Sequence, residues 1–592
     1  MTQEAVAGRD IAPSRGSRTA TLRTLLLSLS PERGWLLPAA LLAALVILTA
    51  VPLATVVVGS FRPEGLPLSA GWTLAHYIGI WSSAATYRLL GDTLLFAFGS
   101  TLLAIVIALA LAWLIERTDV PGRGMFRVAL LMPMATPPLL LAIGWVLIMS
   151  PRIGLIPTAL QPWLGSFENG FNFYSLGGMI FVQGLAYVPT AFLILAPMVL
   201  NMDPTFEEAA TVAGASAAQT LRRVSLPFLM PSLLSVGTLL AIVGVATFDV
   251  PAVVGLPGNV WVLSSEIFSM MNPSSGPPRY GESAAINASL FVLLLLALVV
   301  YERSTRHAER FAAISGKGYK AARFALRGWR IPATCFISGY FVLAVVLPFA
   351  ALLWVSLVPY FSGFKPGLIA GLSFKAYADT FGSERVLDSI HNSLLIAFAA
   401  SAGLMLLALI LAWAIVRSRL RWARVLLDVF SMIPMGVPHL MTGVALIFVF
   451  FSWRAIPLYG TVWIIVLGHL IIYLPLASRM MQSGMMQINR ELEEAAVVSG
   501  ASLAQNLRRI VTPLLRPAMF ALFLWVMVHS LREFSVAVML QSGRNEVLST
   551  ILFSFWETGE PARAAAIAIV LMLALGALVA LMARLTRQPG GA

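Results

Sequence analysis

The sequence predicts an all-α polytopic membrane protein. Of its 592 residues, 59% are hydrophobic and only 11% are charged, which is too little charge to cover a soluble domain of this length. Apolar runs of about twenty residues recur along the chain, and each could cross about 30 Å of hydrocarbon as a helix. A transmembrane β-barrel would instead show short segments of alternating hydrophobicity. The single cysteine, Cys335, excludes an intramolecular disulfide.

Twelve candidate spans follow one another along the chain. They are residues 35–60, 89–115, 126–150, 176–200, 229–251, 284–302, 332–358, 391–415, 426–452, 461–484, 515–538 and 564–584. An even number of spans places both termini on one side of the membrane. Most of the 40 Lys and Arg residues fall in segments on that same side, so the positive-inside rule predicts that both termini are cytoplasmic. Membrane topology accounts for the net charge of +13, and nucleic acid is not predicted as a partner.

The chain contains an internal repeat. The segment EEAATVAGASAAQTLRRVSLPFLMPSLL, which begins at Glu207, aligns without a gap with EEAAVVSGASLAQNLRRIVTPLLRPAMF, which begins at Glu493. Two six-span halves in tandem, inserted the same way, would leave a pathway between them. The predicted parts are an N-terminal tail at 1–34, a first domain at 35–302, a linker at 303–331, a second domain at 332–586 and a C-terminal tail at 587–592. The linker carries eight Lys and Arg residues, which is typical of a cytoplasmic connector beside anionic lipid.

Prolines within the predicted spans recur at matched positions of the two halves. Pro52 corresponds to Pro348, and Pro137 in MPMATPP corresponds to Pro438 in IPMGVPH. Proline interrupts the hydrogen-bond ladder of a helix, and such kinks are tolerated where neighbouring groups satisfy the freed carbonyls. The pairs therefore predict a shared helix geometry in the two halves.

The repeated segment predicts a helix–turn–helix bracket on the cytoplasmic face. Good helix formers are interrupted by Gly214, which permits a sharp change of direction. The many alanines would give a slim surface that another protein can approach closely, and two glutamates suit the positive end of the leading helix dipole. The alternative interpretation is an amphipathic interfacial loop without a partner.

Each copy of this segment resembles the EAA motif of the permease subunits of bacterial ABC importers. The matching residues are Glu208, Ala209, Ala210, Gly214 and Pro227 in the first copy and Glu494, Ala495, Ala496, Gly500 and Pro513 in the second. The resemblance implies two tandem six-helix permease domains of a type I importer in the bacterial cytoplasmic (inner) membrane. It also implies that each bracket docks on a separate ATPase, so that two cytoplasmic ATPase subunits would account for the duplication. An extracytoplasmic binding protein would deliver the solute.

The solute is expected to be ferric iron. The stretch LREFSVAVMLQSGRNEVLSTILFSFWETG, which begins at Leu531, resembles the fused permeases of ferric-iron importers. Fused permeases also serve thiamine importers, and polyamine and phosphonate systems are related, so these solutes stay open as alternatives. AISGKGYK, which begins at Ala313, lacks the first glycine of a P-loop. We therefore expect no cofactor on this chain, ATP on the partner subunits, and no catalytic or metal-ligating residue.

Asp249 and Glu533 are candidate pathway residues. They lie near matched span ends, and an ionisable residue at membrane depth indicates function by default. A solvated position at the outer mouth, or a pair between Arg532 and Glu533, is the alternative. For His439 and His469 we expect packing or a hydrogen bond to a neighbouring helix, because neither has a partner at metal-ligand spacing. An ion-coupled transporter would need charges at mid-span, and a membrane enzyme would need clustered polar residues; the sequence favours neither.

Overall fold

The fold is taken from a computed structural model that describes residues 35–130, 132–164, 172–200, 202, 205–312, 324–453 and 456–585. The predicted tails at 1–34 and 587–592 and the middle of the predicted linker lie outside the described residues. The described part is helical, with a single isolated β-bridge between Thr118 and Phe324. An all-α fold is therefore confirmed.

The helices fall into two series of twelve within the described residues. The first series is α1 (Leu36–Ser60), α2 (Ala75–Ser82), α3 (Ala84–Arg117), α4 (Arg123–Ala129), α5 (Pro138–Met149), α6 (Leu155–Leu164), α7 (Leu176–Leu200), α8 (Thr205–Val212), α9 (Ala217–Thr220), α10 (Leu226–Ala246), α11 (Leu263–Met271) and α12 (Tyr280–Ala312). The second series is α13 (Arg327–Leu357), α14 (Lys375–Phe381), α15 (Glu384–Arg417), α16 (Arg421–Met432), α17 (His439–Ser452), α18 (Val462–Met486), α19 (Arg490–Val498), α20 (Leu503–Asn506), α21 (Thr512–Arg532), α22 (Ser535–Leu540), α23 (Leu548–Glu557) and α24 (Pro561–Leu585).

The predicted third and ninth spans are bent rather than straight. Ten helices of the described part are long and apolar enough to cross a membrane, and the count is twelve if each of two bent pairs is one span. The chain turns by 94° between α4 and α5 and by 109° between α16 and α17. Pro137 and Pro438 adopt extended ψ angles of 137° and 141° at these turns. Since a proline also disfavours helix at the residue before it, helix cannot continue through either site.

Other matched prolines are accommodated by π-helical turns that precede them. Val46–Ala50 and Val342–Val346 are π turns, and they lie directly before the helical segments that hold Pro52 and Pro348. A proline ring clashes with the carbonyl four residues earlier in a regular helix. The wider π turn moves that carbonyl away, so α1 and α13 continue without a break. The shared geometry predicted from the proline pairs is confirmed here.

The first helix of each half packs against the other half. Helix α1 contacts α16 and α17 as well as α12, and α13 contacts α5 as well as α24. The approach of α5 to α13 is close, because a Cβ atom built on Gly144 would lie 2.7 Å from Cβ of Pro348. Within each half, the second helix is central: α3 packs on α7 and α10, and α15 packs on α18 and α21. The exchange of α1 and α13 joins the halves.

The predicted linker overlaps helix at both ends. Helix α12 continues to Ala312, and α13 already begins at Arg327. The chain from Phe324 to Arg330, which we call the strap, lies beside the end of α3. Phe324 N donates to Arg117 O at 2.9 Å, and Asp119 N donates to Phe324 O at 3.2 Å. The exact domain boundaries stay a prediction.

Candidate functional site

Each repeated segment folds as two short helices joined at a glycine. Gly214 separates α8 from α9 with φ of +83°, and Gly500 separates α19 from α20 with φ of +81°. No atom lies within 4 Å of a Cβ built on either glycine, so the left-handed backbone, and not crowding, requires glycine. The next amide closes the turn, since Ala215 N donates to Ala210 O at 2.9 Å. The predicted helix–turn–helix brackets are confirmed.

A duplicated capping box begins the second helix of each bracket. Ser216 N donates to Gln219 Oε1 at 2.9 Å, and Gln219 N donates to Ser216 Oγ at 3.3 Å. Ser502 and Gln505 repeat both bonds at 2.8 and 3.3 Å. This reciprocal pair satisfies two amides that a helix start leaves free. The spacing Ser-x-x-Gln is visible in the sequence but was not used to predict the helix starts.

A buried ion pair fixes the leading helix of each bracket to the end of the second span. Arg117 contacts Glu207, with the two side chains 0% and 4% exposed, and Arg417 Nε lies 2.6 Å from Glu493 Oε1. The guanidinium groups also bind backbone carbonyls that precede the brackets, at Met202 (3.0 Å) and Ile488 (2.8 Å). Charge-assisted bonds of this kind are stronger and more directional than neutral ones.

The predicted glutamates of the motif differ from these anchors. Glu208 is exposed, and the Glu494 side chain is 61% exposed and pairs with Arg490 at 3.0 Å. In the doublet Glu-Glu, the first residue therefore faces inward and the second faces outward. The two roles depend on the partner arginines Arg117 and Arg417, which lie far from the doublets in sequence.

The outer surface of each bracket is open and partly apolar. Ala209 and Ala495 are exposed, Ala210 and Ala496 are half-buried, Pro227 is exposed and Pro513 is half-buried. Val212 is 89% exposed and Val498 is 88% exposed. The same position of both brackets thus carries an almost fully exposed valine. Sequence reasoning missed these valines, although they align in the repeat.

A second feature lies where the two halves meet. The rings of Phe248 and Phe534 stack with centroids 5.8 Å apart and planes 9° apart, and the two residues are 0% and 1% exposed. Each ring also packs on an aromatic residue of its own half, at 4.8 Å for Phe268 and 4.9 Å for Phe553. These contacts close the space between the ends of α10 and α21.

The predicted pathway residues lie beside this aromatic contact. Glu533 is buried, and its carboxylate accepts hydrogen bonds from Val536 N at 2.8 Å and Ala537 N at 3.1 Å at the start of α22. His469 Nε2 lies 3.5 Å and His439 Nδ1 lies 3.6 Å from the same carboxylate. Asp249 is half-buried next to Phe248.

Arg532 does not pair with Glu533. Its guanidinium donates to Met134 O in the first half, so the alternative of a neighbouring Arg–Glu pair is wrong. His469 Nδ1 lies 2.7 Å from Ser530 Oγ on α21, which confirms the expected bond to a neighbouring helix. Within the described ranges, no group of three or more His, Cys, Asp or Glu side chains is arranged to hold a metal ion.

The charged cluster of Glu533, His439 and His469 belongs to the second half. Residues at the repeat positions of Glu533 and His469 are Thr247 and Gln183, which are uncharged. The two brackets are thus alike in sequence and anchoring, whereas the contact between the halves is asymmetric.

The paired halves and their brackets define an integral-membrane transport subunit. The sequence profile of the family described as "Binding-protein-dependent transport system inner membrane component" matches residues 100–310 and again residues 404–587. The chain therefore belongs to this family of ABC importer permeases, and two tandem permease domains are confirmed. A permease of this family is a multi-pass, non-catalytic subunit of the inner membrane, and ATP is hydrolysed on separate subunits.

Several named relatives align with the chain. The "Probable ABC transporter permease protein y4fN" of Sinorhizobium fredii is 26% identical over 504 residues, which is 83% of this chain and 86% of the relative. The "Ferric transport system permease protein FbpB" of Actinobacillus pleuropneumoniae is 25% identical over 485 residues, or 81% of this chain and 68% of the relative. The "Putative 2-aminoethylphosphonate transport system permease protein PhnV" of Salmonella paratyphi A is 26% identical over 253 residues, or 43% of this chain and 93% of the relative.

Proposed function

We propose that this chain is the fused permease of a ferric-iron importer and that each bracket docks one of two cytoplasmic ATPase subunits. The observation that carries the proposal is the duplicated bracket, anchored by Arg117–Glu207 in one half and by Arg417–Glu493 in the other. A docking element must be rigid toward its own protein and accessible to its partner. Buried anchors provide the first property, and the exposed outer surface with Val212 provides the second.

The anchors also give a route by which ATPase closure reaches the membrane. Each bracket continues through a π turn into α10 or α21, so a displaced bracket pulls on the helix that ends two residues before Phe248 or Phe534. Separation of these two rings opens the space between the halves. Alternating access in such two-half permeases is largely a rigid rocking of one half against the other.

Asp249 and Glu533 are proposed to line the passage that this motion opens. They flank the stacked rings on the two halves, and Glu533 keeps its carboxylate in place through two amide hydrogen bonds. A fixed carboxylate attracts a passing cation, and neighbouring histidines His439 and His469 offer nitrogen donors of the kind that transition metals accept. An extracytoplasmic binding protein supplies the solute at the end opposite the brackets, and both termini are cytoplasmic.

Ferric iron is favoured by relatives that align over most of the chain and carry ferric transport in their names. The phosphonate relative aligns with less than half of the chain, and thiamine and polyamines stay alternatives on the sequence resemblance. The test is uptake of radiolabelled ferric iron by cells with and without this chain, with labelled thiamine, 2-aminoethylphosphonate and a polyamine in parallel. We expect loss of iron uptake alone. Loss of another solute alone would reassign the cargo and leave the importer architecture intact.

A further inference from the structure

A cavity of about 660 Å³ lies between the first bracket and the strap. One wall is formed by the bracket residues Thr220 and Ser225, and the other by Phe324, Trp329 and Phe336, with Trp113 at its base. We call this cavity the strap groove. Trp113 stacks on Phe324 with centroids 5.9 Å apart, which holds the strap against α3. The groove is therefore mainly apolar and is built from elements of both halves.

The groove lies at the level where spans end. Helix α3 ends at Arg117, α13 begins at Arg327, and the π turn Leu221–Ser225 leads into α10 on the same face. Trp329 is 72% exposed and Phe336 is 43% exposed. The two residues are seven positions apart, which is roughly 10 Å along a helix axis. This apolar wall thus extends from the interface into the depth that acyl chains occupy.

Three arginines lie close in sequence to the lining of the groove. Arg222 and Arg223 fall between the lining residues Thr220 and Ser225, and Arg327 lies two positions before the lining residue Trp329. All three arginines are exposed and have no ion pair within the described part of the chain. The carboxylate of Glu207 at the base is already neutralised by Arg117. An anionic group at the mouth would therefore meet unpaired guanidinium groups.

One buried polar atom at the wall of the groove lacks a protein partner. Thr220 is 8% exposed, and its Oγ1 has no hydrogen-bond partner among the described residues. A buried hydroxyl without a partner is costly, so such atoms are usually satisfied by protein, water or ligand. Asn506, at the same position of the second bracket, is 4% exposed, and its Oδ1 likewise has no hydrogen-bond partner among the described residues. The two brackets differ in their neighbouring tryptophans, because Trp413 donates to Glu493 Oε2 at 3.2 Å. The equivalent Trp113 stacks on the strap instead.

We propose that the strap groove binds one anionic phospholipid. One acyl chain lies against Trp329 and Phe336, the phosphate is held by Arg222, Arg223 and Arg327, and Thr220 donates to a phosphate or ester oxygen. A bilayer lipid combines both required chemistries and is present at the interface at high local concentration. Basic pockets between spans on the cytoplasmic side are suited to anionic head groups. This inference does not depend on the identity of the solute.

The test is native mass spectrometry of the purified full chain, titrated with phosphatidylglycerol or with phosphatidylcholine. We expect one tightly retained phosphatidylglycerol and about tenfold weaker retention when Arg222 and Arg223 are both changed to Gln. The matched control changes Arg508 and Arg509 to Gln, because these arginines occupy the same positions in the second bracket. The control should retain the lipid like the unchanged chain.

Two further variants locate the lipid within the groove. Thr220→Val and Trp329→Ala should each weaken retention, whereas Ile331→Ala should not, although Ile331 is 76% exposed in the same segment. Only variants that are as monodisperse as the unchanged chain are compared. Thr220→Val keeps the shape of the side chain, so the test still stands if another variant fails to fold. The proposal would be overturned if both arginine-pair variants lost phosphatidylglycerol equally, or if the chain retained phosphatidylcholine as tightly as phosphatidylglycerol. It would also be overturned if an ATPase subunit, and not lipid, shielded Trp329 from solvent.

Discussion

Phe248 and Phe534 stack across the boundary between the halves, with ring centroids 5.8 Å apart, although they occupy the same position of the repeat. Equivalent residues can meet in this way only near the axis that relates the two halves. The helices α10 and α21 follow the two brackets and end two residues before these rings. This geometry connects the proposed ATPase contacts with the proposed passage through one helix in each half.

Removal of the aromatic contact should make the passage leaky. An aromatic pair contributes about 0.5–1.5 kcal/mol beyond its buried area, so Phe248→Ala with Phe534→Ala should shift the equilibrium from closed toward open by roughly two- to tenfold. The measurement is release of a small hydrophilic tracer from proteoliposomes. Phe398→Ala is the control, because Phe398 is 59% exposed and makes an edge contact with Phe523 away from the boundary. Equal tracer release from the double variant and the unchanged chain would argue against a gate at this position.

The buried anchor should show strong coupling between its two residues. Arg117→Gln or Glu207→Gln alone leaves one buried charge without a partner, a change that costs about 3–5 kcal/mol in proteins. The double variant should lose less than the sum of the two single changes. The readout is thermal stability of the purified chain together with retention of the ATPase. The same cycle at Arg417 and Glu493 provides the internal comparison; additive losses at both sites would refute the anchoring role.

The stability that the pair between Asp119 and Arg330 of the strap contributes should decrease as the pH falls. Arg330 donates to Asp119 Oδ2 at 2.5 Å, and this hydrogen bond, with one from Leu326 N, holds the pKa of Asp119 below its ordinary value of 3.8. A lowered folded-state pKa means that the contribution to stability is present above the ordinary pKa and is lost as pH falls through the folded value. The contribution is small, because the pair is exposed to solvent.

The corresponding experiment compares the unchanged chain with Asp119→Asn between pH 3 and pH 7. We expect the unchanged chain to have the higher melting temperature near pH 7 and the difference to shrink below about pH 4. The other carboxylates titrate in both proteins, so their effect cancels when the melting temperature of the variant is subtracted from that of the unchanged chain. A difference that is constant over the whole range would show that Asp119 acts without its charge.

Glu533 should matter for passage and not for assembly. Glu533→Gln keeps an oxygen that can accept from Val536 N but removes the charge, so we expect several-fold lower iron uptake with normal ATPase retention. Glu266→Gln is the control, since Glu266 is a partly exposed carboxylate that pairs with Arg279 at 3.4 Å and makes no contact with the carboxylate of Glu533 among the ion pairs of the described residues. Unchanged uptake when Glu533→Gln is combined with Asp249→Asn would exclude a role for these carboxylates in the pathway.

Much of this architecture could be predicted from the repeat. Gly214 and Gly500 indicated the turns of the brackets, and their left-handed backbone explains why. The bends at Pro137 and Pro438 were underestimated, because an apolar run of the right length indicates a span whether or not its helix is straight. The length and hydropathy of a segment carry no information on whether its helix axis changes direction.

The anchors could have been found, but only by a combined argument. Arg117 and Glu207 are 90 residues apart, so no local pattern joins them. Both residues recur in the second half, as Arg417 and Glu493. When an arginine at the end of a span and a glutamate of a bracket both recur in the repeat, the two residues are candidates for an ion pair. The ring contact of Phe248 with Phe534 needed the third dimension, because the repeat identifies equivalent residues but not those near the axis.

The central claim is that each bracket docks one ATPase subunit, and the most direct measurement is the number of ATPase copies on the purified chain. Native mass spectrometry without nucleotide should give two copies for the unchanged chain, one copy for Glu208→Arg or Glu494→Arg, and none for the double variant. Both glutamates are exposed, so the changes should leave the fold intact. Two retained copies on the double variant, with transport unchanged, would contradict the account.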